Sequence, residues 1–356
     1  MKVLHILHKL KIGGAEAAAV SCLRFMNNTD SFYIVFIDKF DEIEYSKIAP
    51  ELQKQIYSLG RKNKYQYMTI IFKIITIIRN EKPDIIISSL WKSSLLALLV
   101  RVFFKLKWIT FIHNTRFPHI IDKFITILAV KMCDYVFTDS QATGIFINGF
   151  CRKNFSVISF LLDKHSGKVN VTKTKSDTFR FVFTGRLSRV KRLDKCVDLV
   201  KKLTEQGINV VFDIYGTDEG ILIPLLRQID SLELSKVVFY KGTLMPEEVK
   251  PILLDYDFYL QLSDYEGMAI SVVDAMQVGL VCIVTKVGAI KDYSVDMVSA
   301  LHYEGDKANQ IESTVQKILS VIDDPLKYDK ISKSATKVFE NYKTYGESLY
   351  ENLKLV

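Results

Sequence analysis

Two cations and two carboxylates fall where the chain turns from apolar runs into helical patterns. FVFTG ends at Gly185 and is followed by Arg186, Leu187 and then Lys191, ahead of the helical pattern LDKCVDLVKKL. A planar guanidinium grips phosphate oxygens in pairs, an ammonium adds a point charge, and a helix N-terminus adds unpaired N–H groups. The natural guest of that set is a diphosphate. The alternative is that RLSRVKR (186–192) is a plain basic loop.

The second constellation is SDYEGMAISVVDAMQVGL (263–280), with Glu266 at a strand end and Asp274 eight residues on, in the following helix. That spacing puts two carboxylates about two turns apart on one side of the helix. Gly267 lets a backbone approach a ligand closely, and the N–H groups of Met268, Ala269 and Ile270 can bind an anion or sugar hydroxyls. Ordinary helix capping is the bland counterpart. The third is KIGGAEAAAV (11–20), where Gly13 and Gly14, in a turn running to Glu16, bring a helix N-terminus close to a ligand facing the second domain. It lacks the G-x-G-x-x-G spacing, which disfavours NAD. His113, just after WITFI, is the histidine best placed at a strand end.

The elements that must carry these residues are legible as a cadence. VLHIL (3–7), FYIVFI (32–37), DIIIS (84–88), WITFI (108–112) and DYVFT (134–138) alternate with amphipathic stretches of helix length. The cadence restarts with FRFVFTG (179–185), VVFDIYG (210–216), KVVFYKG (236–242), DFYLQLS (257–263) and VCIVT (281–285). Strands apolar on both faces and separated by helices predict two doubly wound parallel sheets in an α/β chain. DKHSGKVNVTKTKSD (163–177) has linker composition. The expected domains are 1–165 and 166–340 about a central cleft, with 341–356 returning to the first. Ligands of such sheets bind at the carboxyl ends of the strands.

Composition narrows the classes. Hydrophobic residues at 49% and charged residues at 25% give a chain expected to fold throughout. Five dispersed cysteines without a C-x-x-C pair point to reduced, cytosolic thiols and to neither a disulfide framework nor a zinc site. The N-terminus lacks the pattern of a signal peptide, so secretion is not expected. Residues 1–170 hold 24 Lys+Arg against 13 Asp+Glu, about +11, whereas 171–356 hold 24 against 27, about −3. An anionic partner for the first half follows, either a membrane surface or a phosphorylated acceptor, unless these are ordinary solvated lysines. No nucleic acid is expected. MTIIFKIITII is broken by Lys73 and SLLALLVRVFFKLKW by Arg101, Lys105 and Lys107, so neither is a spanning helix. With FPHIIDKFITILAVK (117–131) they read as helices lying on an anionic surface, or as buried helices with a cationic edge.

The order of these pieces resembles the retaining glycosyltransferases of family 4, of bacterial surface-polysaccharide type, with the GT-B fold of two Rossmann-like domains. The likeness runs from GGAE through His113 to GRLSRVK (185–191), FDIYG (212–216, ending at Gly216), FYKGTL (239–244, containing Thr243) and EGMAISVVDAM (266–276). It implies that Arg186 and Lys191 hold the donor diphosphate and that Glu266 sits by the donor sugar. The second carboxylate of the family's E-x7-E motif, which binds the ribose, is here Asp274, shorter by one C–C bond of about 1.5 Å. The family's V-G-G-x-P-E loop is replaced by Val287, Gly288, Ala289, Ile290, Lys291 and Asp292. Asp255-Tyr256-Asp257 matches a DxD pattern but falls at a helix end entering a strand, and is read as structural.

The resemblance implies a hexose or N-acetylhexosamine transferred from a nucleotide sugar, UDP-linked by preference and GDP-mannose second, with retention and without metal or other cofactor. The implied acceptor is a lipid-linked or polysaccharide intermediate of surface glycan synthesis, such as lipopolysaccharide or O-antigen. The expected location is cytoplasmic, peripheral at the inner face of the plasma membrane. Two rivals are a non-catalytic membrane-associated binding protein, favoured by Asp274 alone, and a sugar-nucleotide epimerase. The latter would need acid/base groups beyond His113 in the N-terminal half.

Overall fold

The computed structural model describes residues 1–10, 14–26, 31–40, 42–46, 48–61, 66–113, 117, 119–164, 178–304 and 309–356. Gly13 and most of the linker-like segment lie outside them. In chain order the elements begin β1 (Lys2–Leu7), α1 (Gly14–Met26), β2 (Ser31–Asp38), α2 (Glu42–Ser46), α3 (Pro50–Gln53), β3 (Ile56–Arg61) and α4 (Tyr67–Glu81). There follow β4 (Ile85–Ser89), α5 (Trp91–Arg101), β5 (Lys107–Ile112), α6 (Ile120–Met132), β6 (Tyr135–Thr138), α7 (Gln141–Asn148) and β7 (Phe155–Val157). The next series is β8 (Phe179–Thr184), a 3-10 turn (Arg189–Lys191), α8 (Leu193–Glu205), β9 (Val210–Tyr215), α9 (Leu222–Ser231), β10 (Val238–Tyr240) and α10 (Pro246–Leu253). It continues with β11 (Phe258–Gln261), α11 (Ile270–Gln277), β12 (Val281–Thr285), α12 (Ile290–Tyr293), β13 (Leu301–Tyr303), α13 (Gln310–Ile322), α14 (Pro325–Val338) and α15 (Tyr345–Lys354).

Two compact units result, one of Met1–Asp163 with Lys343–Val356 and one of Lys164–Tyr342. In the first unit the sheet order is β3-β2-β1-β4-β5-β6-β7, every described pair parallel. The chain therefore reverses its direction of winding between β1 and β4. Central strands such as β1 and β4 are buried along nearly their whole length, because helices cover both faces of a parallel sheet. Trp108, Ile74, Ile86 and Val130 belong to the core on one side. Residues from α15 complete the same unit: buried Tyr345 stacks on Phe111 at 6.3 Å and meets Phe160 edge-on at 5.2 Å. Thr344 and Glu347 form a capping box that starts α15.

The second unit has the order β10-β9-β8-β11-β12-β13, again parallel, with its switch between β8 and β11. Phe181 and Phe258 stack at 4.7 Å between these two strands, within a core that includes Leu193, Val197 and Ile283. Three strands lie beyond the sequence expectation, β3, β7 and β13, and each stands at or beside a sheet edge. β3 carries Ser, Gly and Arg in IYSLGR, while β7 and β13 have only three residues each. Among the described residues no helix is long and apolar enough to cross a membrane.

Candidate active site

The β8/β11 switch point gathers the residues singled out by type. Gly216 follows β9 with φ 150°, and a Cβ there would lie 1.6 Å from the Gly185 carbonyl oxygen, so the two loops run backbone against backbone. Gly185 N–H donates to Tyr215 O at 3.0 Å and Leu187 N–H to Thr217 O at 2.9 Å, with Leu187 buried beneath. Thr243, predicted to bind substrate, lies with its hydroxyl 3.4 Å from that of Thr217. The 3-10 turn then presents Lys191, and Arg192, in the left-handed region at φ 48°, leads into α8. The loop after β11 is stitched to this turn: Asp264 N–H donates to Val190 O at 2.9 Å, and Arg192 pairs with Asp264 at 3.1 Å.

Lys191 and Glu266 meet inside this weave. The Lys191 Nζ lies 2.7 Å from Glu266 Oε1, with the side chains 14% and 11% exposed. Gln261 Nε2 donates to the same oxygen at 2.9 Å. Gln261 Oε1 in turn accepts from Ser271 at 3.0 Å and faces the Tyr259 hydroxyl at 2.8 Å, which also lies 3.0 Å from Thr184 O. Burial raises the Tyr259 phenol, so it stays a donor. Arg186 differs from Lys191: it pairs with Glu219 at 2.9 Å on the surface, 59% exposed. Such surface pairs contribute about 0–1 kcal/mol, whereas removing one partner of a desolvated pair costs about 3–5 kcal/mol. Each of the two cations thus carries a carboxylate partner.

The loop from Glu266 to Ile270 is fixed from its other side. Gly288, at φ 57°, has no room for a Cβ, which would fall 2.1 Å from Glu266 O. Ala289 N–H donates to Gly267 O at 2.9 Å and Tyr293 OH to Met268 O at 3.0 Å. Ala269 adopts φ 55° as the residue before α11, and Ile270 opens the helix, so orphan N–H groups of its first turn gather at this corner. Glu266 itself stands four residues ahead of α11, so the two carboxylates do not share one helix face. Asp274 lies within α11 and pairs with Lys250 of α10 at 3.6 Å. Asp257 accepts Arg180 N–H at 2.8 Å, and Tyr256 donates to Asp213 at 2.7 Å; the DxD segment fastens the amino end of the sheet.

In the first unit, His113 Nε2 shares Ser89 Oγ, at 2.9 Å, with His5 Nε2 at 2.8 Å. Burial lowers both imidazoles to about 3, with mutual repulsion adding to His5, so both are neutral. Gly14 opens α1 and Glu16 lies in its first turn; Gly13 is outside the described residues. Gln261, Tyr259, Ser271, Glu219 and Lys250 were not predicted. Their signal in the sequence is slight, a polar Gln261 at the end of an otherwise apolar strand being the clearest. Among the described residues no three His, Cys, Asp or Glu side chains gather into a metal-holding group.

Two doubly wound parallel units of this topology define the GT-B class. Residues 168–338, nearly the whole of the second unit, match the family "Glycosyl transferases group 1". The chain is 26% identical over 223 residues to the poly(ribitol-phosphate) alpha-N-acetylglucosaminyltransferase of Staphylococcus aureus (strain COL), covering 61% of this chain and 42% of that protein. It spans less than half the length of the curated relatives it matches. Among solved structures, Anabaena HepE in complex with UDP and glucose has TM-score 0.82 at 16% identity, with both chains fully covered. A point mutant of Staphylococcus aureus TarM, in complex with fondaparinux, alpha-GlcNAc-glycerol and UDP, has TM-score 0.78 at 14% identity, covering 100% of this chain and 99% of that one.

Proposed function

We propose that this protein is a retaining, metal-independent glycosyltransferase that moves a hexose or N-acetylhexosamine from a UDP-sugar to a lipid-linked or polysaccharide acceptor in surface glycan synthesis. The observation that carries the reading is the Lys191–Glu266 pair at the β8/β11 switch point, inside the segment that matches group 1 glycosyl transferases. UDP in the two similar structures and the N-acetylglucosaminyl transfer of the relative favour the donor class.

Breaking the anomeric C–O bond leaves negative charge on the diphosphate and positive charge on the sugar. An ammonium has three N–H donors, so Lys191 can keep Glu266 and still meet a phosphate oxygen. Arg186 exchanges its weak surface partner Glu219 for the diphosphate and grips it with two parallel bonds. Charge developing on the leaving group then meets preorganised donors. A diphosphate oxygen takes the acceptor proton on the face the donor leaves, which gives retention. Both protein bonds to Glu266 end on Oε1, so Oε2 is available for sugar hydroxyls; a carboxylate held by an ammonium is a poor nucleophile. Asp274 reaches the ribose through water or a closer helix, and Gly185, Gly216, Thr243 and the Gly267–Ile270 amides line the donor. His113, with Gly13, Gly14 and Glu16, is assigned to sugar hydroxyls of the substrates.

The first unit supports contact with an anionic membrane surface. Ile120, Ile121 and Phe124 on α6 are all exposed, and Lys123 and Lys131 are exposed on the same helix. Bulky apolar side chains beside lysines are what an anionic interface receives. The localisation that follows is peripheral, at the inner face of the plasma membrane.

A thermal-shift panel of UDP, GDP, ADP and their common sugars tests the assignment, because a ligand of the native state raises the melting temperature. A selective shift with UDP supports it. Shifts with none of the nucleotides would return the chain to the non-catalytic reading.

A further inference from the structure

One polar chain in the first unit crosses three neighbouring strands. His5 lies in β1, Ser89 ends β4 and His113 directly follows β5, and these strands stand side by side in the sheet. His5 Nε2 and His113 Nε2 lie 2.8 Å and 2.9 Å from the same Ser89 Oγ. The His113 ring is clamped, stacked on Phe111 at 4.3 Å with Phe160 edge-on at 5.5 Å. Its plane and its Nε2 partner are thus fixed, which leaves the choice of the nitrogen that carries the proton.

Both rings are neutral, since burial lowers each to about 3, so each has one N–H and one bare lone pair. Ser89 has a single hydroxyl proton to share. If both rings donated to Oγ, that proton would have no acceptor among the described residues. In a directed chain, one ring donates to Oγ and the hydroxyl donates to the other ring, each bond polarising the next. The direction follows from the two Nδ1 atoms, both buried and without a hydrogen-bond partner among the described residues. One of them is then an N–H and the other a lone pair. His5 is 1% exposed in a central strand, so its Nδ1 stays inside the core, where an orphaned N–H is the rarer defect. His113 is half-buried at a strand's carboxyl end, where ligands of parallel sheets arrive. A donor orphaned there is satisfied by an incoming oxygen.

We propose that His5 and Ser89 are positioning residues that place the proton of His113 on Nδ1, so that His113 meets a substrate oxygen as a hydrogen-bond donor. His5 donates from Nε2 to Ser89, and the Ser89 hydroxyl donates to His113 Nε2. That the incoming oxygen belongs to a sugar rests on the transferase reading above; the placement of the proton does not.

The test is long-range proton–nitrogen correlation NMR on the full chain, its histidine rings isotope-labelled at nitrogen, which separates protonated from bare ring nitrogens. Two other rings calibrate the spectrum. His8 Nε2 accepts the Lys92 backbone N–H and His119 Nδ1 accepts that of Asp122, so the neutral His8 ring carries its proton on Nδ1 and His119 has its proton on Nε2. Single substitutions of each histidine assign the signals. His113 is expected to match His8, and His5 to match His119. His5→Leu, which removes the donor to Ser89, should turn His113 toward the His119 pattern and raise the KM for a UDP-sugar about tenfold. Unmoved His8 and His119 signals show that the first unit of that variant is folded. A wild-type spectrum in which both His5 and His113 match His119, or in which their patterns are exchanged, overturns the proposal without recourse to any variant. A His113 pattern indifferent to His5→Leu overturns the role of His5. UDP-glucose or UDP-N-acetylglucosamine should shift the His113 Nδ1 signal. If the chain ignores UDP and both sugars while the two rings keep the expected patterns, the placement of the proton stands and the transferase reading falls.

Discussion

Lys191 and Glu266, 75 residues apart in sequence, meet at 2.7 Å because they leave neighbouring strands on either side of the point where the second sheet reverses its winding. The cation proposed for a leaving group and the carboxylate proposed for a sugar are thus mechanically one part. Moving either one moves the other.

That coupling separates Lys191 from Arg186. Lys191→Met should lower transfer by about 10²–10³ and also cost about 3–5 kcal/mol of stability, since Glu266 is left buried without its partner. Arg186→Ala should lower transfer comparably while changing stability by no more than about 1 kcal/mol. Urea denaturation beside a transfer assay checks both, and similar stability losses in the two variants would contradict the burial argument.

Gln261 is placed to orient Glu266. Gln261→Leu removes one bond to Glu266 and leaves Ser271 and Tyr259 without their shared acceptor. The expected result is a fall in kcat of about tenfold or more, with the UDP thermal shift retained. An unchanged kcat would show that Lys191 alone orients Glu266.

Two glycines with positive φ should respond differently to alanine. Gly207, at φ 78°, has nothing within 4 Å of an added Cβ, so Gly207→Ala should cost about 1–2 kcal/mol of backbone strain. At Gly216 the added carbon meets the Gly185 carbonyl, and the loss should exceed that and include the UDP thermal shift. Equal melting temperatures for the two variants would refute the close approach of these loops.

His5, His8 and His113 are neutral in the fold, each lowered to about 3, while in the unfolded chain they protonate near the ordinary value of 6.5. Below that value the unfolded state binds more protons, so stability is full above about pH 6.5 and is lost progressively as pH falls toward 3. Each histidine contributes a slope of up to about 1.4 kcal/mol per pH unit in that window. Urea midpoints between about pH 7 and about pH 5 should fall, and His8→Gln should flatten the slope. A slope unaffected by that substitution would place the titration elsewhere.

Transfer should persist in EDTA, since Asp257 and Tyr256 of the DxD segment serve the sheet's amino end and the proposed role of Arg186 and Lys191 is to offset the diphosphate charge. Activity lost to the chelator and restored by Mn2+ would reassign that segment.

The strands most legible in the sequence are those buried on both faces, because parallel pairing turns them into uninterrupted apolar runs such as IIIS and VCIVT. β3 escapes that pattern through Ser58, Gly60 and Arg61, and β7 and β13 are too short to show any. Arg186, Lys191 and Glu266 are legible by type and by their place after strands. Their partners are not, since Glu219 and Gln261 are ordinary surface or strand residues until sheet order brings them together. His5 reads as an interruption in an apolar strand, and only β4 at its side supplies the Ser89 hydroxyl that it shares with His113.

Tyr345 and its helix have a consequence for the order of assembly. The first unit buries that ring against Phe111 and Phe160, and its backbone N–H donates to Leu161 O at 2.7 Å. On a ribosome, the segment that closes this core emerges only after the whole second unit has been made. The second unit is therefore free to finish folding while the first waits with an aromatic face uncovered.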